Sequence, residues 1–358
     1  MTTIAIVSLV AWLWLLRERG WFWWPHVMPK QDPTPRGNVV AIVPARDEAA
    51  VIGPAVASIG VPVIVVDDHS TDDTAAIARQ AGAVEIVASS PLPSGWTGKL
   101  WAVHQGVEAA ARLEPDYYLL TDADIVYAPD NAAMMMAHAQ AGNYDLVSLM
   151  VKLHCRSLAE KFLIPAFVFF FFLLYPPRWV GDPKRRTAAA AGGCILIRRA
   201  ALERIGGIAA IKGELIDDCA LARKVKDNGG RIWLGVSEST RSVRGYKTFP
   251  EIGRMISRTA FTQLRHSPWL LAATMLGMLV VYAVPPALAI RGDVFGIAAW
   301  VVMAGLFVPT IWFYRLSPLW ALLLPATALF YLGATIHSAI QYWRGRGGEW
   351  KGRVQDPL

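Results

Sequence analysis

Residues 267–343 contain only three Lys, Arg, Asp or Glu side chains: Arg291, Asp293 and Arg315. No globular core absorbs so long an uncharged stretch, whereas a bilayer does, one helix per ~20 apolar residues. Three blocks, 267–290, 294–314 and 319–343, have the required length. The chain as a whole is 54% hydrophobic and 18% charged over 358 residues, against roughly 45–50% and about 25% in soluble domains. That excludes disorder, a charged coiled coil and an ordinary soluble enzyme. Of the fifteen Trp, five (Trp12, Trp14, Trp21, Trp23, Trp24) crowd the N-terminus, while Trp269, Trp312, Trp320 and Trp343 flank the apolar blocks. Amphipathic rings favour the membrane–water interface. The net charge of +7 suits anionic headgroups, and no nucleic-acid partner is expected.

An N-terminal membrane anchor is expected over residues 1–20. Its uncharged run, 2–16, makes a helix of about 22 Å, short of the ~30 Å hydrocarbon core, so an interfacial helix fits as well. It has no basic n-region and no A-x-A site, which argues against a cleaved signal peptide. Arg17 and Arg19 follow it. By the positive-inside rule they hold the next domain in the cytoplasm, which predicts a multi-pass protein of the inner (cytoplasmic) membrane with its catalytic domain cytoplasmic.

After a proline-bearing linker at 31–36, apolar runs at 39–43, 61–66, 84–87, 117–121 and 146–151 alternate with helical stretches at 48–59, 72–81, 99–112 and 131–141. A strand at 194–197, helices at 198–205 and 217–227 and a strand at 231–234 follow. Such alternation predicts an α/β, mainly parallel, Rossmann-like sheet over 36–250, with ligands at the carboxyl ends of the strands. Residues 162–177 are apolar and lie between acids that the chemistry below needs together, so they read as an interfacial or re-entrant segment. Residues 251–266 interleave apolar positions with Arg254, Arg258 and Arg265, as an amphipathic interfacial helix does. A transmembrane region, 267–343, and a basic tail, 344–358, complete the chain. Here two rules conflict: three crossings put the tail outside, while Arg344, Arg346, Lys351 and Arg353 prefer the inside. A break at Pro285-Pro286 would restore an inside tail. Cys155, Cys194 and Cys219 form no CxxC pair, hence neither a disulfide framework nor a zinc signature.

Five polar constellations sit at predicted strand ends. Pro44, Asp47 and Glu48 follow the first strand; Asp47 is placed to cap the next helix, or the group grips a nucleotide. Asp67 and Asp68 end the second strand, and capping by Ser70, Thr71 and Asp72 does not explain two adjacent acids, which repel unless a ligand or cation intervenes. Asp122 and Asp124, one residue apart in a turn, can share a hard cation, Mg²⁺ or Mn²⁺, with substrate phosphates. Asp217 and Asp218 open a helix, where the dipole favours acids and a carboxylate can serve as general base. Lys99 follows a glycine turn, Gly95 to Gly98, suited to phosphate contact. Each is weak alone; the order of the five along one α/β unit is specific.

In that order the chain resembles the family 2 glycosyltransferases of GT-A fold, through PARDE (44–48), VVDDHSTDDT (65–74), GKLWAVHQG (98–106), DAD (122–124), GGCILIRRAALERIGG (192–207) and DDCALARKVKDNGG (217–230). More narrowly, TAFTQLRHSP (259–268) and WRGRGGEWKGR (343–353) look like the hopene-associated glycosyltransferases, and the chain is similar to carotenoid and ceramide glycosyltransferases. The resemblance implies a UDP- or GDP-sugar donor and inversion at the anomeric carbon; the apolar segment 162–175, the basic helix 251–266 and the three apolar blocks add the expectation of a membrane-lipid acceptor of the hopanoid or other polyisoprenoid class. The resemblance makes Asp218, beside Asp217, the base, and Asp122 with Asp124 the metal ligands. It puts Pro44, Asp47, Glu48, Asp67, Asp68, Lys99 and Asp122 at the nucleotide sugar, with Arg258 and Arg265 neutralising the leaving diphosphate. Gln263-Leu264-Arg265-His266 stands where processive synthases carry Q-x-x-R-W, which disfavours a polysaccharide synthase. A small transporter or scaffold is disfavoured because the spans lack ionisable residues other than His337.

Overall fold

Eight strands form one sheet in the spatial order β3 (Glu85–Ala88), β2 (Val63–Asp67), β1 (Val39–Ala45), β4 (Tyr117–Thr121), β7 (Cys194–Arg198), β6 (Leu146–Lys152), β8 (Ile232–Ser242) and β5 (Ile125–Tyr127), in a computed structural model that describes residues 2–31 and 34–348. Lys351 and Arg353 of the basic tail lie outside the described residues. The chain divides into two compact units, one of Met1–Pro25, Cys155–Arg178 and Gly245–Leu358, the other of His26–His154 and Trp179–Arg244.

The second unit holds the sheet. β1 (Val39–Ala45), β2 (Val63–Asp67), β3 (Glu85–Ala88) and β4 (Tyr117–Thr121) run parallel. β1 and β4 are buried along their whole length, as strands covered on both faces must be. The sheet then reverses. β7 (Cys194–Arg198) pairs antiparallel with β4 and with β6 (Leu146–Lys152), and β6 pairs parallel with β8 (Ile232–Ser242). The helix Gly98–Ala110 packs on β1 and β2 so closely that a Cβ at Gly106 would fall 2.5 Å from the Ile42 Cγ2. Two features exceed the sequence reading. β8 continues well past residue 234, through an irregularity opposite Met150 and Lys152. A three-residue strand, β5 (Ile125–Tyr127), pairs with the end of β8. It directly follows Asp124 and is too short to show a period of two.

Among the described residues four helices are long and apolar enough to cross a membrane, Leu158–Gly181, Pro268–Ala289, Val294–Phe313 and Pro318–Trp343, and all but the last three residues of the first belong to the first unit. The helix Thr2–Glu18 packs with them. Its Trp12 indole donates to the Val281 carbonyl at 2.9 Å. That carbonyl lies four residues before Pro285, which has no N–H to give it. The helix therefore passes through Pro285-Pro286 unbroken, its turn widened at Leu279–Ala283, and the predicted break does not occur. Residues 251–266 likewise differ from the single helix expected. They form the end of one helix, Phe249–Ser257, then a separate turn, Ala260–Gln263. Thr259 leaves helical geometry between them, and Arg265 and His266 both take left-handed backbone. Glu160, fully buried, accepts N–H bonds from Arg156, Ser157 and Tyr246 at 2.8, 2.8 and 2.6 Å, tying the start of the helix Leu158–Leu174 to the segment that precedes Phe249.

Candidate active site

The acids gather at the carboxyl ends of β1, β2 and β4, as the α/β rule requires. At the centre is Lys99, the second residue of a helix whose N-terminus Thr97 caps. Its Nζ lies 3.0 Å from Asp122 Oδ1 and 3.3 Å from Asp217 Oδ2. Burial alone would lower the Lys99 pKa, but Asp122, Asp217 and Asp218 outweigh it and hold the ammonium protonated. Asp218 receives two backbone N–H bonds, from Gly192 to Oδ2 at 2.8 Å and from Cys219 to Oδ1 at 2.7 Å. Burial and the neighbouring Asp217 charge push its carboxyl up to about 6, against the pull of Lys99 and the two N–H groups. Pro44, Lys99, Asp122, Gly192, Asp217 and Asp218 line one small cleft whose remaining walls are mostly apolar.

A second group lies at Asp124. Its Oδ2 accepts from the Ser242 hydroxyl at 2.5 Å and lies 3.6 Å from the Arg244 Nε. Arg244 also bonds Glu48 Oε2 at 2.5 Å. Burial, then the charge of Asp122, raises the Asp124 pKa, and Arg244 and Ser242 oppose the rise. The sequence reading missed Arg244, Ser242 and the Gly192 N–H. A serine and an arginine just past a strand carry no spacing signal; the one clue was an excess of acid in need of a counter-charge.

The remaining predicted residues fall into place differently. Asp47 does not cap a helix. The next helix starts at Ile52 with no side-chain cap, and Asp47 instead accepts the Thr71 N–H and hydroxyl at 2.7 and 3.1 Å, clasping the β1 loop to the β2 loop. The Thr71 N–H holds its pKa below the usual carboxylate range. Asp67 and Asp68 need no cation to separate them, because alternation along the strand sends them apart. Asp68 is buried against Arg46 (3.4 Å) and His69 (3.2 Å), while Asp67 faces the Ser70 N–H. Arg258 and Arg265 belong to the other unit.

Asp122 and Asp124 suit a hard divalent cation. They are oxygen donors whose like charges raise one another's cost, and a cation relieves that cost. Among the described residues no three His, Cys, Asp or Glu form a metal cluster, so the ion would complete its shell with phosphate and water.

Comparison with known proteins fits this geometry. A family model described as "Glycosyltransferase like family 2" matches residues 35–260. Curated relatives include the 4,4'-diaponeurosporenoate glycosyltransferases of Staphylococcus aureus, one 34% identical over 115 residues (strain MRSA252) and another 36% identical over 96 residues (strain USA300). These matches span 30% of this chain and 30% of the first relative, and 25% of each for the second. A mannosyltransferase from Pyrobaculum calidifontis, solved with GDP-Man and Mn²⁺, superposes with TM-score 0.52 at 20% identity, covering 95% of this chain and 98% of that one. With the family model matching well over half of its length, the chain belongs to glycosyltransferase-like family 2.

Proposed function

We propose that the chain is a membrane-bound, inverting, metal-dependent glycosyltransferase that moves a sugar from a UDP- or GDP-sugar to a lipid hydroxyl, in the hopanoid or polyisoprenoid class, at the cytoplasmic face of the inner membrane. The observation that carries the reading is Asp218: a carboxylate raised to about 6 and held by two backbone N–H groups beside Lys99, Asp122 and Asp217. A base is most effective with its pKa near the working pH. Asp217 is tied to Lys99 and positions the cluster, which leaves Asp218 to take the proton.

In the reaction, the acceptor hydroxyl gives its proton to an Asp218 oxygen. The acceptor oxygen bonds to the sugar's C1 from the face opposite the diphosphate. The C1–O bond to the diphosphate breaks, and its electron pair leaves with the nucleoside diphosphate. Lys99 balances charge at the cleft. When bound at Asp122 and Asp124, Mg²⁺ or Mn²⁺ supplies further neutralisation of that diphosphate. The β1 and β2 loops, with Pro44, Asp47, Glu48, Asp67 and Asp68, form the nucleoside side; Glu48 acts there by fixing Arg244.

The lipid acceptor is supported by the four apolar helices and by relatives named for diaponeurosporenoate. The test is incubation of the purified full-length protein with labelled UDP- and GDP-sugars and a bacterial lipid extract, followed by organic extraction. Label is expected in the organic phase, lost in Asp218→Asn while that variant still binds donor. Label confined to insoluble polymer would overturn the lipid acceptor, and a normal Asp218→Asn rate would overturn the base.

A further inference from the structure

The last helix ends beside the start of the first C-terminal span. The Tyr342 ring stacks on the His266 ring at 4.0 Å and 5°. The Phe261 N–H donates to the Ser338 hydroxyl at 3.1 Å, and the Phe261 ring meets Trp343 at 5.4 Å. Phe261, Leu271 and Ala339 share a buried cluster. These contacts hold the two consecutive left-handed residues Arg265 and His266 (φ 52° and 53°), a backbone that persists only where its surroundings enforce it. The helix Pro268–Ala289 carries the chain ~33 Å away from this point, and Val294–Phe313 brings it back. A third plain crossing would leave Trp343 near Ile290. Instead the Trp300 indole donates to the Leu322 carbonyl at 3.2 Å. The turn Pro318–Leu323 thus runs back beside the first half of Val294–Phe313, and the helix Leu324–Trp343 returns to His266.

This return builds a surface. Arg265, Arg344 and Arg346 are exposed, and among the described residues no carboxylate pairs with them. Trp269 is 85% exposed and Trp343 50% exposed, flanking the arginines at the ends of two apolar helices. Unpaired guanidinium groups between interfacial indoles complement an anionic, amphipathic layer. We propose that the end of the helix Leu324–Trp343 lies on the membrane face from which residue 268 starts, and that the surface completed there binds anionic phospholipid headgroups. The conflict between three apolar blocks and a basic tail disappears, because the third block dips in and comes back.

The test uses full-length protein in sealed vesicles and a membrane-impermeant maleimide, with labelling of the parent chain as baseline. Arg346→Cys is expected to label from the same side as Arg254→Cys, and Ile290→Cys from the opposite side; Arg346→Cys labelling together with Ile290→Cys overturns the return. Native mass spectrometry then compares dioleoylphosphatidylglycerol with dioleoylphosphatidylcholine. The pair Arg344→Gln and Arg346→Gln should lower the preference for the anionic lipid ~25-fold, about fivefold per arginine, while Arg344→Lys with Arg346→Lys retains it. An unchanged preference in the Gln pair, or none in the parent, overturns the lipid surface.

Discussion

Replacing Lys99 with Met removes the cation shared by Asp122, Asp217 and Asp218, and the proposed chemistry predicts how the pH profile responds. A nearby cation depresses a carboxyl pKa by ~1–3 units, and Lys99, bonded to Asp122 and Asp217, acts on Asp218 through its charge. Without it, Asp218 moves from about 6 to ~7–9. The base works only as carboxylate, so activity is lost as pH falls through this value. In the parent that loss occurs near pH 6; in the variant it occurs at neutral or mildly alkaline pH. At pH 7 the ionised fraction drops from ~0.9 to between ~0.5 and ~0.01, a fall in turnover of ~2- to 100-fold that shrinks to at most ~2-fold at pH ~9. The assay is single-turnover release of nucleoside diphosphate with lipid extract across pH 5–9.5, with Lys99→Arg as the charge-preserving control. If the acid limb of Lys99→Met overlays that of the parent, Lys99 does not tune the base. If Lys99→Arg falls as far as Lys99→Met, shape and not charge matters at this position.

Three further outcomes follow from named contacts. Asp124→Ala should weaken Mn²⁺ binding, read by electron paramagnetic resonance with nucleoside diphosphate present, as well as abolish transfer; unchanged Mn²⁺ affinity would remove Asp124 from the metal site. Gly106→Ala forces a methyl group against Ile42 and Val66 and should cost ~1–3 kcal/mol, seen as a lower melting temperature in detergent with the pH profile unmoved. Trp12→Phe leaves the Val281 carbonyl with the longer Ser8 hydroxyl bond, 3.4 Å, a loss of about 1 kcal/mol, and should speed hydrogen exchange around Leu279–Ala283; exchange equal to the parent's would mean that the indole bond adds nothing to the helix at Pro285.

Much of the sheet was legible because a buried parallel strand is a short apolar run. Val39 to Val43, Tyr117 to Thr121 and Leu146 to Val151 stand almost where β1, β4 and β6 do. The helices Asn131–Ala141 and Asp217–Asp227 match their expected bounds. The acids were legible as well, since they end those runs. Their partners were not. Arg244 reaches Glu48 and Asp124 from nearly two hundred and well over one hundred residues away, and no local pattern encodes a bond of that range. Local pattern also misled at Asp47, where a cap-like residue before a helix prefers a tertiary clasp with Thr71. At Pro285 it misled for the opposite reason, because the missing N–H is compensated by Trp12 and Ser8 from the other end of the chain.

The helix Leu158–Leu174 shows how topology overrules composition. With the short Pro177–Gly181 turn it is long and apolar enough to span, yet it joins β6 to β7, and those strands are direct neighbours. Leu146 pairs with Ile197, Val147 with Leu196 and Ser148 with Ile195, and the Ser148 hydroxyl accepts the Ala191 N–H at 2.8 Å. Open sheet edges and loops do not cross hydrocarbon, so for a sheet held at one membrane face the expectation is an interfacial or re-entrant course and not a single traverse. Both ends of the helix are tied down: Glu160 holds the start to Tyr246, and the Arg19 guanidinium donates to the carbonyls of Leu173 and Leu174 at its end. The same constraint keeps Asp122, before the helix, and Asp217 and Asp218, after it, within reach of one ammonium group at Lys99.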